Sequence, residues 1–221
     1  MQFLIKCCKI SHMRMRRKPK LNSRINRCAH LLVAEPEEFC GHWCEDFGFE
    51  ELHIELGCGK GLFTVETAKN APHVLLVALE KIDNVIVIAL ERAEQIGLQN
   101  VRYLNKLADY LTDFFAAGEV SRVYINFCDP WPANRHKKRR LTGQPFLELY
   151  KQVLRSGGEV HFKTDNLPLF EFSLSEFERC GFTLSDVTHN LHEHGTTGVM
   201  TDYEVKFHEQ LMPIYKCIAV L

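Results

Sequence analysis

The 221-residue chain has no apolar run near the roughly 18 residues that a membrane-spanning helix needs, and stretches such as residues 85–90 suit buried elements instead. It has no C-x-x-C pair either. Its nine cysteines, at 7, 8, 28, 40, 44, 58, 128, 180 and 217, are scattered through apolar stretches, the usage of reduced thiols in a reducing compartment. Cys40, His42 and Cys44 match no common zinc spacing, and no second ligand pair follows them or His192 and His194, so no metal site is expected. Residues 1–10 are interrupted by lysines and lack a small-residue cleavage site, which is not the pattern of a signal peptide. The expected location is cytoplasmic, with no membrane partner. Nor is there a G-x-x-x-x-G-K-[ST] loop, which disfavours nucleoside triphosphate hydrolysis. Hydrophobic residues at 46% and charged residues at 25% exclude a disordered or fibrous chain.

Net charge is also nearly absent, at −1, but its distribution is uneven. Residues 14–27 hold Arg14, Arg16, Arg17, Lys18, Lys20, Arg24 and Arg27 with no acid among them, and residues 135–140 hold Arg135, Lys137, Lys138, Arg139 and Arg140. Outside these clusters, 15 basic residues face 28 acidic ones. Such segregation makes local positive fields on an acidic body, able to attract a phosphate backbone despite the neutral sum.

From Glu51 onward, strand and helix signals alternate. Strands are expected at 51–56, 73–79, 101–104, 123–127 and 159–163, with helices at 61–70, 84–97, 109–117 and 145–155. Asn84 reads as a helix cap, Gly97 as a stop, and Ser156-Gly157-Gly158 as the close of the fourth helix. A helix at 167–180 and late strands at 182–187 and 214–220 complete the pattern. This alternation implies a doubly wound, mostly parallel α/β sheet with ligands at the carboxyl ends of its strands.

The first strand runs into Glu55-Leu56-Gly57-Cys58-Gly59-Lys60-Gly61. Glycines at alternate positions let the backbone turn sharply where the next helix begins. The spacing departs from the dinucleotide G-x-G-x-x-G, and an acid stands two residues before the first glycine. An acid at a strand end suits a cationic cofactor such as S-adenosylmethionine, and Glu80, ending the second strand, is placed to accept from ribose hydroxyls. The fourth strand ends in Asn126-Phe127-Cys128-Asp129-Pro130-Trp131-Pro132, directly before the second basic cluster. Two prolines stiffen the chain around a carboxylate, Trp131 offers an aromatic surface, and the cations read as a phosphate clamp. Phe162-Lys163-Thr164-Asp165-Asn166 and Thr201-Asp202-Tyr203-Glu204 are further polar clusters, either of which ordinary turn chemistry also explains.

Together these motifs resemble the tRNA (guanine-N7-)-methyltransferase family of bacteria, over nearly the whole chain from about Met13. The resemblance implies a Rossmann-like S-adenosylmethionine-dependent methyltransferase domain at 31–221 after a basic arm at 1–30, acting on a variable-loop guanosine of tRNA. It implies that Glu55 and Glu80, with Gly57 and Gly59 in the turn, bind the cofactor, and that Asp129 lies at the cofactor and catalytic position. Asp165 and Thr201, Asp202, Tyr203 and Glu204 are implied to contact substrate, while the segregation of charge itself puts Lys137, Lys138, Arg139 and Arg140, with the arm from Arg14 to Arg27, on tRNA phosphates. Two positions depart from the family. The acid expected after the third strand falls on Leu107, with Asn105 and Asp109 nearby as replacements, and a substrate-binding lysine falls on Ala133. Residues 1–12 have no counterpart in the resemblance, and the oligomeric state stays open.

Guanine N7 presents a free lone pair, so methyl transfer to it needs alignment more than a base. Asp129 is expected to orient the guanine, and Trp131 or Tyr203 to support the unstacked base. Two rivals remain: methylation of another nucleic-acid base atom, and a non-catalytic RNA-binding relative.

Overall fold

The computed structural model describes residues 18–210 and 212–221. Arg14, Arg16 and Arg17 of the first basic cluster lie outside them. Seven strands form one sheet: β1 (Glu51–Leu56), β2 (Val74–Leu79), β3 (Val101–Leu104), β4 (Val120–Asn126), β5 (Leu154–Thr164), β6 (Thr183–Thr188) and β7 (Tyr215–Val220), in the order β3-β2-β1-β4-β5-β7-β6. The first five run parallel, and β7 is antiparallel to both of its neighbours. This is the doubly wound, mostly parallel sheet expected from the alternation of elements.

The all-apolar segment Val-Leu-Leu-Val-Ala-Leu becomes β2 because both its faces are covered, the condition of an inner parallel strand. On one side of the sheet pack α2 (Trp43–Phe47), α5 (Leu111–Phe114), α6 (Gln144–Val153) and α7 (Leu167–Arg179), around Trp43, Ile54, Val77, Ile125 and Phe162. On the other pack α1 (Leu21–Arg27), α3 (Leu62–Asn70) and α4 (Asp83–Ile96), around Val65, Leu76, Leu90 and Tyr103. Pairing of Leu56 with both Leu79 and Ile125, and of Leu79 with Leu104, levels the strand ends. Residues 57, 80, 105 and 127 therefore emerge at one edge, where the chain order reverses between β1 and β4.

Several boundaries differ from the sequence reading. Asn84 does not cap α4; Ile82 holds that place, and the Asn84 side chain accepts from the Lys18 amide at 2.9 Å. The helix expected at 109–117 shortens to a 3-10 turn at Ala108–Tyr110 and α5. α6 stops at Val153 and the chain enters β5 at once, so Ser156-Gly157-Gly158 lies within the strand rather than after the helix. Thr201-Asp202-Tyr203-Glu204 opens a helix, α8 (Asp202–Glu209), whose polar composition hid it. Within the first basic cluster, Arg24 is consumed by a two-pronged contact with Glu91 of α4, at 2.7 and 2.5 Å. No helix of the described residues is long and apolar enough to cross a membrane.

Candidate active site

A cleft of about 580 Å³ opens at the carboxyl ends of β1, β2 and β4. Its walls bring together Gly57, Glu80, Asp109, Asp129 and Arg139 from five separate stretches of sequence, with Leu107, Phe127 and Trp131 among the apolar surfaces. The backbone turn that follows β1 meets the cleft at Gly57. Gly57, Gly59 and Gly61 have φ of +77°, +58° and +77°, a region side chains disfavour. At Gly61 there is a second reason: a Cβ would meet Ala89 Cβ at 2.7 Å, so the glycine lets α3 and α4 approach.

Glu80 closes this turn. Its carboxylate accepts from the Gly59 amide at 3.2 Å and the Ile82 amide at 3.0 Å, and burial holds its pKa above the usual carboxylate range despite those bonds. Each oxygen keeps acceptor capacity toward the cleft. Asn105 braces the same strand end, its amide nitrogen donating to the Glu80 carbonyl at 3.0 Å. Of the two replacements offered for the missing acid, Asp109 is the one at the cleft wall, beside the 42% exposed Leu107.

Glu55 lies beneath the turn rather than in the cleft. It is 2% exposed, accepts from Thr64 Oγ1 at 2.6 Å and from Asn126 Nδ2 at 3.3 Å, and burial pushes its pKa up to about 7. Thr64 and Asn126, which the sequence reading passed over, tie β1, α3 and the end of β4 through this one carboxyl. Asn126 opens the Asp129 motif, and that position was the available signal.

Beyond β4 the chain reaches Asp129 through Phe127 at φ +52° and leaves it through Trp131 at φ +41°, both strained for residues with a Cβ. Asp129 is exposed at the cleft mouth. The second basic cluster forms a 3-10 turn, Asn134–Arg139, with Arg139 lying 5.1 Å over the Trp131 ring. Arg140, expected to reach phosphate with Arg139, is instead 9% exposed and turned inward, donating to the carbonyls of Pro130 and Trp131.

Thr201-Asp202-Tyr203-Glu204 is mostly occupied within the fold. Thr201 and Glu204 cap α8 reciprocally: Thr201 Oγ1 accepts from the Glu204 amide at 2.9 Å, and Glu204 accepts from the Thr201 amide at 3.2 Å. Glu204 is wholly buried and also meets Lys163 of β5 and His192. Asp202 accepts from Arg92 of α4 at 2.8 and 3.0 Å and from the Leu62 amide at 3.3 Å. Three of the four residues expected at the substrate thus also cap α8 or tie it to β5, α3 and α4. Tyr203 is the exposed one; its ring lies 5.1 Å from Phe127, and its hydroxyl bonds Asp165, whose pKa burial raises. A smaller cavity of about 200 Å³, lined in part by Phe63, Tyr124, His161 and Lys163, contains none of the expected site residues.

The donor set fits S-adenosylmethionine. Three carboxylates line a partly apolar cleft, which suits a ligand with a positive sulfonium and ammonium, and Glu80 has lone pairs to spare for hydroxyls. No group of three metal-ligating side chains occurs among the described residues.

Comparison with known proteins agrees with this geometry. Residues 50–217 match a family model described as "Putative methyltransferase". Among solved structures, the 16S rRNA methyltransferase KamB superposes with a TM-score of 0.61 at 16% identity, over 80% of this chain and 91% of that one. A SAM-dependent methyltransferase from Aquifex aeolicus gives 0.54 at 14% identity, over 92% and 99%. A precorrin-6y C5,15-methyltransferase from Geobacter metallireducens gives 0.55 at 13%, over 93% and 94%. At these identities the solved structures share the fold, and the family match carries the assignment. The chain belongs to this methyltransferase family, whose cosubstrate is S-adenosylmethionine.

Proposed function

We propose that the chain methylates N7 of a guanosine in tRNA, at the variable-loop position that the sequence resemblance implies. The observation that supports this best is the meeting of Asp129 and Trp131 with the exposed cations Lys138 and Arg139 at one cleft. An acidic, partly apolar cleft suits a sulfonium cofactor, and cations at its rim suit the phosphates of an RNA that brings a base to it. Ala133 supplies no charge near the substrate, and Lys138 and Arg139 are close enough in the chain to replace it.

S-adenosylmethionine, when bound, supplies a methyl group on positively charged sulfur. In this reading Glu80 accepts from the ribose, while Leu107 and Asp109 meet the adenine. Glu55 acts from beneath by ordering Thr64 and Asn126. Guanine N7 carries a lone pair and no proton, so the residues need remove none. Asp129 accepts from the guanine N1–H and exocyclic amine, orients the base, and offsets the positive charge that develops on the ring. Phe127, Trp131 and Tyr203 offer aromatic surface to a base drawn out of its stack.

Transfer of labelled methyl to unmodified tRNA, followed by nucleoside analysis, tests the reading. N7-methylguanosine is the expected product. Label on an exocyclic amine or on adenine, or acceptance by a 16S rRNA fragment and not by tRNA, would replace the proposed substrate. Binding of tRNA with no transfer would leave a non-catalytic RNA-binding protein.

A further inference from the structure

The run Arg135-His136-Lys137-Lys138-Arg139-Arg140 reads as one patch of like charge, but its last member faces the other way. Arg135, Lys137, Lys138 and Arg139 are exposed, whereas Arg140 is 9% exposed. Its Nε donates to the Pro130 carbonyl at 3.0 Å and its Nη2 to the Trp131 carbonyl at 3.1 Å. The guanidinium carbon also lies 4.2 Å from the centre of the Phe172 ring on α7.

Those two carbonyls belong to the loop that carries Asp129, whose other ties are side-chain contacts: Phe127 on Tyr203, Cys128 against the core and the Leu141 amide, and Trp131 beside His136 and Arg139. Pro130 and Pro132 have no amide hydrogen to donate. Among the described residues, no backbone amide between Phe127 and His136 bonds a backbone carbonyl. Phe127 and Trp131 sit at positive φ, a conformation that persists only where the surroundings impose it. Arg140 is itself anchored at its backbone to the exposed turn: its amide donates to the Lys137 carbonyl at 3.2 Å, and its carbonyl accepts from Gly143 at 2.9 Å. The residue is thus bonded by its main chain to the cationic turn and by its side chain to the Asp129 loop.

We propose that Arg140 is a positioning residue that fixes the Asp129 loop in register with the phosphate-binding turn, and that it takes no phosphate itself. An RNA phosphate held by Lys138 or Arg139 then stands at a set offset from Asp129. The planar fork suits this place, since its spaced N–H groups meet two neighbouring carbonyls while its central carbon lies 4.2 Å from the Phe172 ring centre. The proposal rests on the reading of the cleft as an RNA methyltransferase site.

The test uses the full chain with R140M, R140K and R139A. Exchange of the Phe127 amide, which donates to the Lys163 carbonyl where the loop leaves β4, should rise about 10-fold or more in R140M and R140K, with the sheet strands still protected. In the same two variants kcat for tRNA methylation should fall by about 10- to 100-fold, as displacement of a reacting group does. The salt dependence of tRNA binding should keep the parental slope in both. R139A, which removes a phosphate contact, should instead flatten that slope by about 0.7 to 0.9. A flattened slope in R140M would make Arg140 a phosphate ligand and overturn the proposal. So would parental exchange in R140M, or full recovery of kcat in R140K. If R140M loses strand protection, R140Q, which keeps one amide donor, serves in its place with the same expected readings. Absence of transfer by the parental chain would sink the functional reading instead, and the exchange measurement would still decide whether Arg140 holds the loop.

Discussion

On the β1–β2 side of the cleft the chain turns on three glycines at positive φ, and Glu80 closes the turn through the Gly59 and Ile82 amides. On the β4–β5 side the same task falls to side chains. Phe127 and Trp131 occupy positive φ without being glycine, Arg140 pins the loop between them, and Lys163 joins β5 to the buried Glu204 of α8. Where backbone conformation does the holding, substitution is limited by φ at each glycine. Where side chains do it, a single replacement strands a buried partner. The cofactor side should therefore tolerate loss of a side chain better than the substrate side.

The strongest way to break this comparison is Lys163→Met. Lys163 and Glu204 are 9% and 0% exposed, and removing one member of a buried pair costs about 3–5 kcal/mol. Urea denaturation should register that loss, and Glu204→Gln, which strands the Lys163 ammonium instead, should cost a comparable amount. A loss under about 1 kcal/mol in Lys163→Met, the scale of an exposed pair, would mean that side chains do not hold the β4–β5 side.

Glu55, on the other side, sharpens the comparison through pH. Its folded pKa of about 7 lies above the ordinary 4.5, so the unfolded chain releases its proton first as pH rises. Stability from this group is complete below the ordinary value and falls by about 3 kcal/mol as pH climbs toward 7. His53 and His161 work in the opposite direction. Burial lowers both to about 4, so their contribution is present above the ordinary histidine range and is lost as pH falls toward 4. Glu55→Gln should remove the loss on the alkaline side and leave the acid loss in place. A parental pH profile of thermal unfolding in that variant would contradict the burial assigned to Glu55.

Asp129→Ala separates chemistry from scaffold. The residue is exposed, so unfolding should be unchanged, while methyl transfer falls by about 100-fold or more. Normal transfer by that variant would remove Asp129 from the mechanism. The smallest effect belongs to Lys137→Ala with Lys138→Ala, which should flatten the salt dependence of tRNA binding by about 0.7 to 0.9 per contact and leave cofactor affinity alone. A parental slope would make those cations a solvated surface.

The same contrast governs what was legible in the sequence. Element order, the parallel sheet and the glycine turn could be read directly, because apolar strand runs and positive-φ glycines are local signals. Glu80 and Asp129 were legible as acids at strand ends, and the structure brings both to one cleft. Arg140 was read as one more cation because charge in sequence does not say which way a side chain turns. The Thr201-Asp202-Tyr203-Glu204 cluster was read as four substrate contacts, and three of these residues also bond partners from 41 to 140 residues away in the chain or one another. Pairings of that span leave no local pattern. Asn84 looked like a cap by residue type, but its side chain is spent on Lys18, a contact 66 residues distant.

The central claim is that guanine N7 is the atom methylated, and tRNA transcribed with 7-deazaguanosine in place of guanosine tests it most directly. That base keeps its pairing edge, including the N1–H and amine assigned to Asp129, and lacks only the nitrogen proposed to attack. With S-adenosylmethionine carrying labelled methyl, ordinary unmodified tRNA should accept about one label per molecule. The deaza transcript should bind, compete for the site, and accept none. Label entering the deaza transcript at the ordinary rate would contradict the account.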